Sequence, residues 1–279
     1  MPAPDPRARL ERKLSRALAR AVTGFDMIAA GDRIMVAVSG GKDSYVLLHL
    51  LRALRRRAPV PFSLVAVHLD QGQPGHDPAP LVDFMRAYGV EFHLARDDTY
   101  SAVRATVPDG KTYCSMCSRL RRAVLYRLAT ELGCSRIALG HHRDDVIVTL
   151  MLNLIFSGQL KAMPPKLRSD DGKHVVIRPL VYCAEQDIAQ LAELVGFPIL
   201  PCRLCGSQPN QQRRAIDALL ADLDSRHPGA RANMLAALAN VRPTHLLDPD
   251  LWKRLGIHVA EHDEDDGPEP VKLQRLVRS

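Results

Sequence analysis

Hydrophobic residues along this chain fall into two arrangements, short unbroken runs and stretches with helical spacing. The run Ile34–Val38 predicts a parallel strand over 33–38, covered on both faces. From Ser44 onward, Leu47, Leu50, Leu51 and Leu54 recur at helical spacing and predict a helix over 44–57. The alternation continues with strands over 62–69, 90–94, 136–139 and 175–180. Between and after them, helices are predicted over 80–89, 118–132, 146–156 and 185–195, the last stopped by Gly196. The helix over 146–156 is apolar all round and should be buried, and 111–117 reads as a loop. Residues 1–30 read as a basic helix, and two more helices are predicted over 211–222 and 229–239.

Strands that alternate with helices predict an α/β fold: a doubly wound parallel sheet with helical N- and C-terminal extensions. The expected organisation is a basic helix over 1–30, a nucleotide-binding α/β domain over 31–200, a cysteine motif with C-terminal helices over 201–245, and a partly disordered acidic tail over 246–279. Ligands of such sheets bind outside the carboxyl ends of the strands, at the topological switch point. Polar clusters at Ser39–Ser44, Asp70–Gly72 and Gly140–Asp145 each follow a predicted strand. All three should converge on one crevice.

Charge adds a partner class. Lys and Arg number 38 against 31 Asp and Glu, a net charge of +7 with pI near 9.3, which suits a polyanion. No apolar run is long enough to span a bilayer, and the first twenty residues lack a signal-peptide core, so a cytoplasmic protein without a membrane partner is expected. The six cysteines include two C-x-x-C pairs, a usage that points to metal or redox chemistry rather than a disulfide framework.

The stretch Ser39-Gly40-Gly41-Lys42-Asp43-Ser44 joins a strand to a helix N-terminus. Glycines allow close backbone approach, unpaired N–H groups and the helix dipole favour an anion, and Lys42 adds a full charge. Lysine and two serines have no packing purpose in such a turn. Asp144 and Asp145 follow the strand at 136–139, where hard oxygen ligands beside phosphates suit Mg²⁺. A helix cap explains one of these acids but not the pair together with His141 and His142. Asp70 can cap a turn, or orient Lys42, a ribose or a metal. Cys114 and Cys117 precede a helix beside Arg119, Arg121 and Arg122, a setting that favours thiolate. The second pair, Cys202 and Cys205, is too distant for a local zinc ribbon, which leaves a zinc site assembled by the fold or an iron–sulfur cluster. Cys134 and Cys183 read as core residues.

The form S-G-G-K-D-S resembles the pyrophosphate loop (PP-loop) of the ATP pyrophosphatase superfamily. Together with C-S-M-C-S-R-L-R-R, G-H-H-R-D-D and P-C-R-L-C-G-S-Q-P-N, in this order over residues 30–215, it resembles the tRNA 2-thiocytidine synthetases. That resemblance implies ATP- and Mg²⁺-dependent thiolation at C2 of a cytidine at position 32 of the tRNA anticodon loop. It implies an adenylated base, and a sulfide carried by a [4Fe-4S] cluster with three cysteine ligands. Carried over, Cys114 and Cys117 are two ligands and Cys205, rather than Cys202, is the third, because its spacing to Asn210 is similar to that in related 2-thiouridine synthetases. The flanking zinc-finger cysteines of those relatives are absent here. ATP is expected on Ser39, Gly40, Gly41, Lys42, Asp43 and Ser44, with Asp70 and His141 nearby. Lys42, Asp43, Asp144 and Asp145 are the expected catalytic residues, and Asp144 or Asp145 the Mg²⁺ ligand. Arg119, Arg121 and Arg122 are expected to hold tRNA. A sulfur donor such as a cysteine desulfurase and a homodimer are the other expected partners. Two readings compete: another PP-loop tRNA enzyme, of the 2-thiouridine or lysidine type, and a non-catalytic zinc-bearing RNA-binding protein.

Overall fold

The computed structural model describes residues 5–106, 114–169, 172–201 and 211–258. It divides into two compact units, Met1–Asp217 and Ala218–Ser279. The first opens with α1 (Pro6–Gly24), capped by Asp5 and turning Leu14, Leu18 and Ala21 inward. Then follow β1 (Arg33–Ala37), α2 (Lys42–Arg55), β2 (Ser63–Asp70), α3 (Ala79–Tyr88), β3 (Glu91–Arg96), α4 (Thr99–Thr106) and α5 (Cys114–Glu131). The chain continues with β4 (Arg136–Ala138), α6 (Arg143–Ser157), β5 (Lys166–Arg168), β6 (Val175–Ile177) and α7 (Glu185–Val195). Helix α8 (Gln211–Arg226) spans the boundary between the units.

The six strands form one sheet in the order β3-β2-β1-β4-β6-β5. All pairings are parallel except β5 with β6. The central strands are the most apolar: Ile34, Met35 and Val36 of β1 and Leu64, Val65, Ala66 and Val67 of β2 are buried, as a strand covered on both faces requires. Met35, Val65, Val67 and Ile137 pack with Val124, Leu125, Leu128 and Ala129 of α5. The chain runs outward from β1 to β3 on one side and from β4 to β6 and β5 on the other. The switch point therefore lies between β1 and β4, and the loops after these two strands face each other there.

Four local expectations are corrected. The sheet is mixed, because Lys166–Arg168 forms an antiparallel edge strand that no periodicity announces; its two cations suit an edge that must not pair with another chain. Residues Cys114–Cys117, expected in a loop over 111–117, form the first turn of α5. Helix α6 is not buried throughout: Leu154, Ile155 and Phe156 at its end are about half exposed. Helices α4 and α10 (Pro249–Leu255), the latter inside the expected tail, were not anticipated from spacing.

At the sheet end opposite the switch-point loops, Asp32 ties three segments together. It accepts from Ala29 N–H (2.6 Å), Ser135 Oγ (2.6 Å) and Arg136 Nε (3.1 Å). Replacing Asp32 by alanine leaves Arg136 unpaired in a half-buried setting and should cost about 3 kcal/mol. Urea unfolding reads this as a lower midpoint with unchanged slope. A loss under about 1 kcal/mol would rank the cluster with ordinary surface ion pairs.

The second unit carries α9 (Ala230–Ala237), a short 3-10 turn (Pro243–His245) and α10. Asp224 pairs with Arg231 at 2.9 Å, and Trp252 Nε1 donates to the carbonyls of Pro243 and Leu246.

Candidate active site

The loop after β1 is built by its own short polar side chains. Ser39 N–H donates to Ser44 Oγ (3.2 Å), Ser44 Oγ donates to the Gly41 carbonyl (2.8 Å), and Gly41 N–H donates to Ser39 Oγ (3.3 Å). Gly40 has φ +84°, a left-handed conformation that favours glycine, and its carbonyl accepts from Leu200 N–H at 2.9 Å. A side chain at Gly40 would meet Leu200 Cδ1 at 2.9 Å. Leu200 belongs to the segment after α7, which is held by Tyr45: its ring stacks on Phe197 at 5.2 Å and its hydroxyl donates to the Pro198 carbonyl at 3.0 Å. The chain thus enters the second C-x-x-C motif from the phosphate loop. Cys202 and Cys205 themselves lie outside the described residues.

Lys42, Asp43 and Ser44 form the first turn of α2, so the loop ends at a helix N-terminus, as the spacing implied. Lys42 Nζ donates to Glu185 Oε1 at 2.9 Å and lies 3.3 Å from Asp43 Oδ1. Burial works against the lysine charge, but the Glu185 bond and the two carboxylates outweigh it and hold the Lys42 pKa above its ordinary value. Glu185 starts α7, 143 positions away in sequence, and nothing local marks it as a partner.

The loop after β4 packs directly under this turn. A Cβ on Gly140 would lie 3.1 Å from both the Asp43 carbonyl carbon and the Ser44 nitrogen, so the glycine allows the two loops to touch through backbone. His142 precedes α6 and is buried; its Nε2 is 3.7 Å from Asp43 Oδ1 and 3.4 Å from Asp145 Oδ2. Asp43 and Asp145 therefore flank one imidazole.

The adjacent acids of α6 have different work. Asp144 Oδ2 accepts the Glu185 N–H at 2.9 Å, which ties α6 to the first turn of α7, and Oδ1 pairs with Arg143 at 3.2 Å. Burial raises its pKa, yet these bonds prevail and keep it low. Asp145 Oδ2 accepts the His142 N–H at 3.2 Å, and Oδ1 accepts from Arg213 Nη2 at 2.6 Å. For Asp145 too, burial is outweighed, here first by His142, through its ring and its backbone N–H, and then by Arg213, and its pKa falls. His141 is pushed down to about 4, first by burial and then by the nearby cations Arg178 and Arg121, so its imidazole is neutral at physiological pH. Buried atoms without a hydrogen-bond partner gather here: Asp43 Oδ1, His141 Nδ1 and His142 Nδ1. Such atoms around a cleft call for a ligand.

The third strand end contributes as well. Val38 N–H donates to the Val67 carbonyl, and the buried His68 Nδ1–H donates back to the Val38 carbonyl at 2.8 Å. Asp70 closes β2 and caps the following turn, accepting Gly72 N–H at 3.1 Å, with Arg96 3.8 Å away. Of the roles open to Asp70, turn capping is the one its contacts display. Beside it, Cys117 Sγ lies 3.8 Å from Gln71 Oε1, at the exit of β2. Cys114 stands three residues earlier, in the first turn of the same helix. Arg119, Arg121 and Arg122 follow on exposed positions of α5. Cys134 and Cys183 are buried, and burial raises both thiol pKa values, as expected of inert core residues.

Three polar strand ends thus meet at the β1/β4 switch point and its neighbour β2. Glu185, Arg213 and Arg178 join them without any sequence signal, because each arrives from a distant element, and His68 joins from inside the apolar run of β2. No helix among the described residues is long and apolar enough to cross a membrane.

Comparison with known proteins agrees with this architecture. The PP-loop domain family matches residues 6–198. The tRNA-cytidine(32) 2-sulfurtransferase of Sorangium cellulosum is 64% identical over 254 residues, which cover 91% of this chain and 90% of that protein. The enzyme of the same name from Serratia proteamaculans is 54% identical over 259 residues, covering 93% and 84%. Among solved structures, the U34-tRNA thiolase NcsA from Methanococcus maripaludis with its [4Fe-4S] cluster shares the fold at a TM-score of 0.65, with 22% identity over 92% of each chain. This chain belongs to the PP-loop family and, within it, to the tRNA-cytidine(32) 2-sulfurtransferases.

Proposed function

We propose that the chain uses ATP to replace the C2 oxygen of cytidine 32 in tRNA by sulfur. The observation that carries this reading is the meeting of the phosphate loop, the Asp43–His142–Asp145 group and Cys117 at adjacent strand ends, in a chain 64% identical to a protein named for that reaction.

The residues divide the work. Backbone N–H groups at the start of α2, with the Ser39 and Ser44 hydroxyls, hold the ATP phosphates, and Lys42 neutralises the pyrophosphate that departs. Asp43 and Asp145 suit Mg²⁺, which takes one or two carboxylates and fills its shell with phosphate oxygen and water. Both oxygens of each adjacent acid are engaged, but Asp145 shares His142 with Asp43, whereas Asp144 is turned to the α7 backbone and Arg143 and is the less suited of the pair. The cytidine is flipped into the crevice, as chemistry on a base edge requires. Its C2 oxygen attacks the α phosphorus and pyrophosphate leaves; that oxygen then departs with AMP as sulfur bonds to C2. Neutral His141 can exchange hydrogen bonds with the base or ribose without adding a charge.

Of the three cysteines, Cys117 stands at the β2 exit in the first turn of α5, and Cys114 belongs to the same turn; Cys205 lies outside the described residues. When bound, a [4Fe-4S] cluster with three cysteine ligands keeps one iron open to present sulfur. Arg119, Arg121 and Arg122 offer exposed charge to the tRNA backbone. A sulfur donor of the cysteine desulfurase class, with a two-electron reductant that brings its persulfide sulfur to the sulfide level, renews the sulfur, and substrates such as ATP and tRNA suit a cytoplasmic reaction.

Anaerobic purification with iron, sulfide and zinc analysis of the wild type, Cys205→Ala and Cys202→Ala tests the reading. About four iron and four sulfide per chain are expected in the wild type and Cys202→Ala, and none in Cys205→Ala. Zinc without iron in the wild type would overturn it.

A further inference from the structure

Arg178 follows the last residue of β6, so it emerges at the same end of the sheet as the phosphate loop and the G-H-H-R-D-D loop. Leu139 N–H bonds the Ile177 carbonyl at 3.0 Å, which sets Arg178 beside Gly140 and His141. Its Nη1 donates to the Pro164 carbonyl at 2.6 Å, but its buried Nε has no partner. Among the described residues, Arg122 and the carboxylate of Asp145 act on it, and together with Arg121 it acts on His141. That carboxylate is already paired with Arg213 at 2.6 Å. Burial and Arg122 pull the Arg178 pKa down to about 10, so it remains charged at neutral pH. A half-buried guanidinium beside Arg122, next to a His141 that Arg121 also acts on and whose Nδ1 is unsatisfied, is short of negative charge. The missing partner is an anion with several acceptor oxygens, and guanidinium suits phosphate.

We propose that Arg178, with Arg121 and Arg122 of α5, forms a second phosphate site beyond the ATP loop, and that it holds a backbone phosphodiester next to the cytidine that enters the crevice. The inference rests on the tRNA reading above. The ATP phosphates have their own cradle after β1, and β6 lies two strands away, about 10 Å across the sheet. A nucleotide whose base reaches the switch point carries its own phosphate over such a distance. Arg178 is then a positioning residue, ordering the target nucleotide rather than touching the reacting atoms.

The test uses the cluster-bearing protein under anaerobic conditions, with Arg178→Gln, Arg178→Lys and Arg122→Gln. Dissociation constants for unmodified tRNA are measured over a series of KCl concentrations, and for ATP without tRNA. Arg178→Gln should weaken tRNA binding about tenfold and reduce the slope of log K against log salt by about one, while ATP affinity stays within about twofold. Arg178→Lys should keep the slope and recover part of the affinity. If Arg178 merely braces the Pro164 carbonyl, the melting temperature falls and the salt slope does not, which overturns the proposal. Arg122→Gln, on an exposed helix position, carries the same slope test should Arg178→Gln fold poorly. A loss of ATP affinity with tRNA binding intact would place the site on ATP and also overturn the proposal. A wild type that binds no tRNA would instead refute the function on which the inference rests.

Discussion

Lys42→Met is expected to lower tRNA-dependent pyrophosphate release by about 10²–10³-fold, the usual cost of removing one preorganised charge partner of a departing oxyanion. The surroundings of Lys42 argue for the upper part of that range. Its ammonium is held between Asp43 and Glu185, both of which remain when it is lost. Incoming phosphates would then meet two carboxylates with no intervening ammonium. Lys42→Met/Glu185→Gln should therefore recover part of the loss, since it removes one of the two repelling charges. The backbone of α2 does not depend on the side chain, so the melting temperature should barely move. Pyrophosphate release by Lys42→Met within tenfold of the wild type would show that loop N–H groups and metal suffice, and that the lysine serves only to anchor α7.

The second large effect is expected at Cys117. Cys117→Ser should strip the iron and reduce thiolation to background while leaving ATP binding intact. The two halves separate because Cys117 stands at the β2 exit against Gln71, whereas the phosphate loop is knitted by Ser39, Gly41 and Ser44 on β1 and α2. The measurements are the visible spectrum, thiolated nucleoside after tRNA digestion, and an ATP dissociation constant. Iron retained at wild-type level would remove Cys117 from the ligand set. Thiolation retained without iron would be worse for the mechanism, because the sulfur would then need another carrier.

Much of this architecture could be read from local pattern. The apolar run before Ser39 and the leucine spacing after Ser44 predict β1 and α2, because a strand buried on both faces and a helix buried on one leave distinct periods. The same logic holds for β2, α3, α5, β4, α6 and α7, each within a few residues. It fails for β5, where Lys166-Leu167-Arg168 is too short to show a period and is a strand only because β6 offers it a free edge. It also fails at Cys114, which the glycine-free stretch before Ser118 gave no reason to place in a helix.

The candidate chemistry divides in the same way. Sequence alone determined which groups are present and, through the strand–loop–helix order, that three polar clusters leave the sheet at one end. It also carried the family, since four motifs in a set order are local facts. Only the tertiary structure decided how those groups are used. Asp144 and Asp145 are adjacent and alike in sequence. One is drawn to the first turn of α7, 41 positions on, and the other to His142 and to Arg213, 68 positions on. Likewise, Lys42 meets Glu185, and Arg178 stands among Arg122, His141 and Asp145, because β4 and β6 are neighbours in the sheet. Hydrophobic period is a property of a few consecutive residues, but an ion pair depends on which strands end side by side, and that is settled when the whole sheet forms.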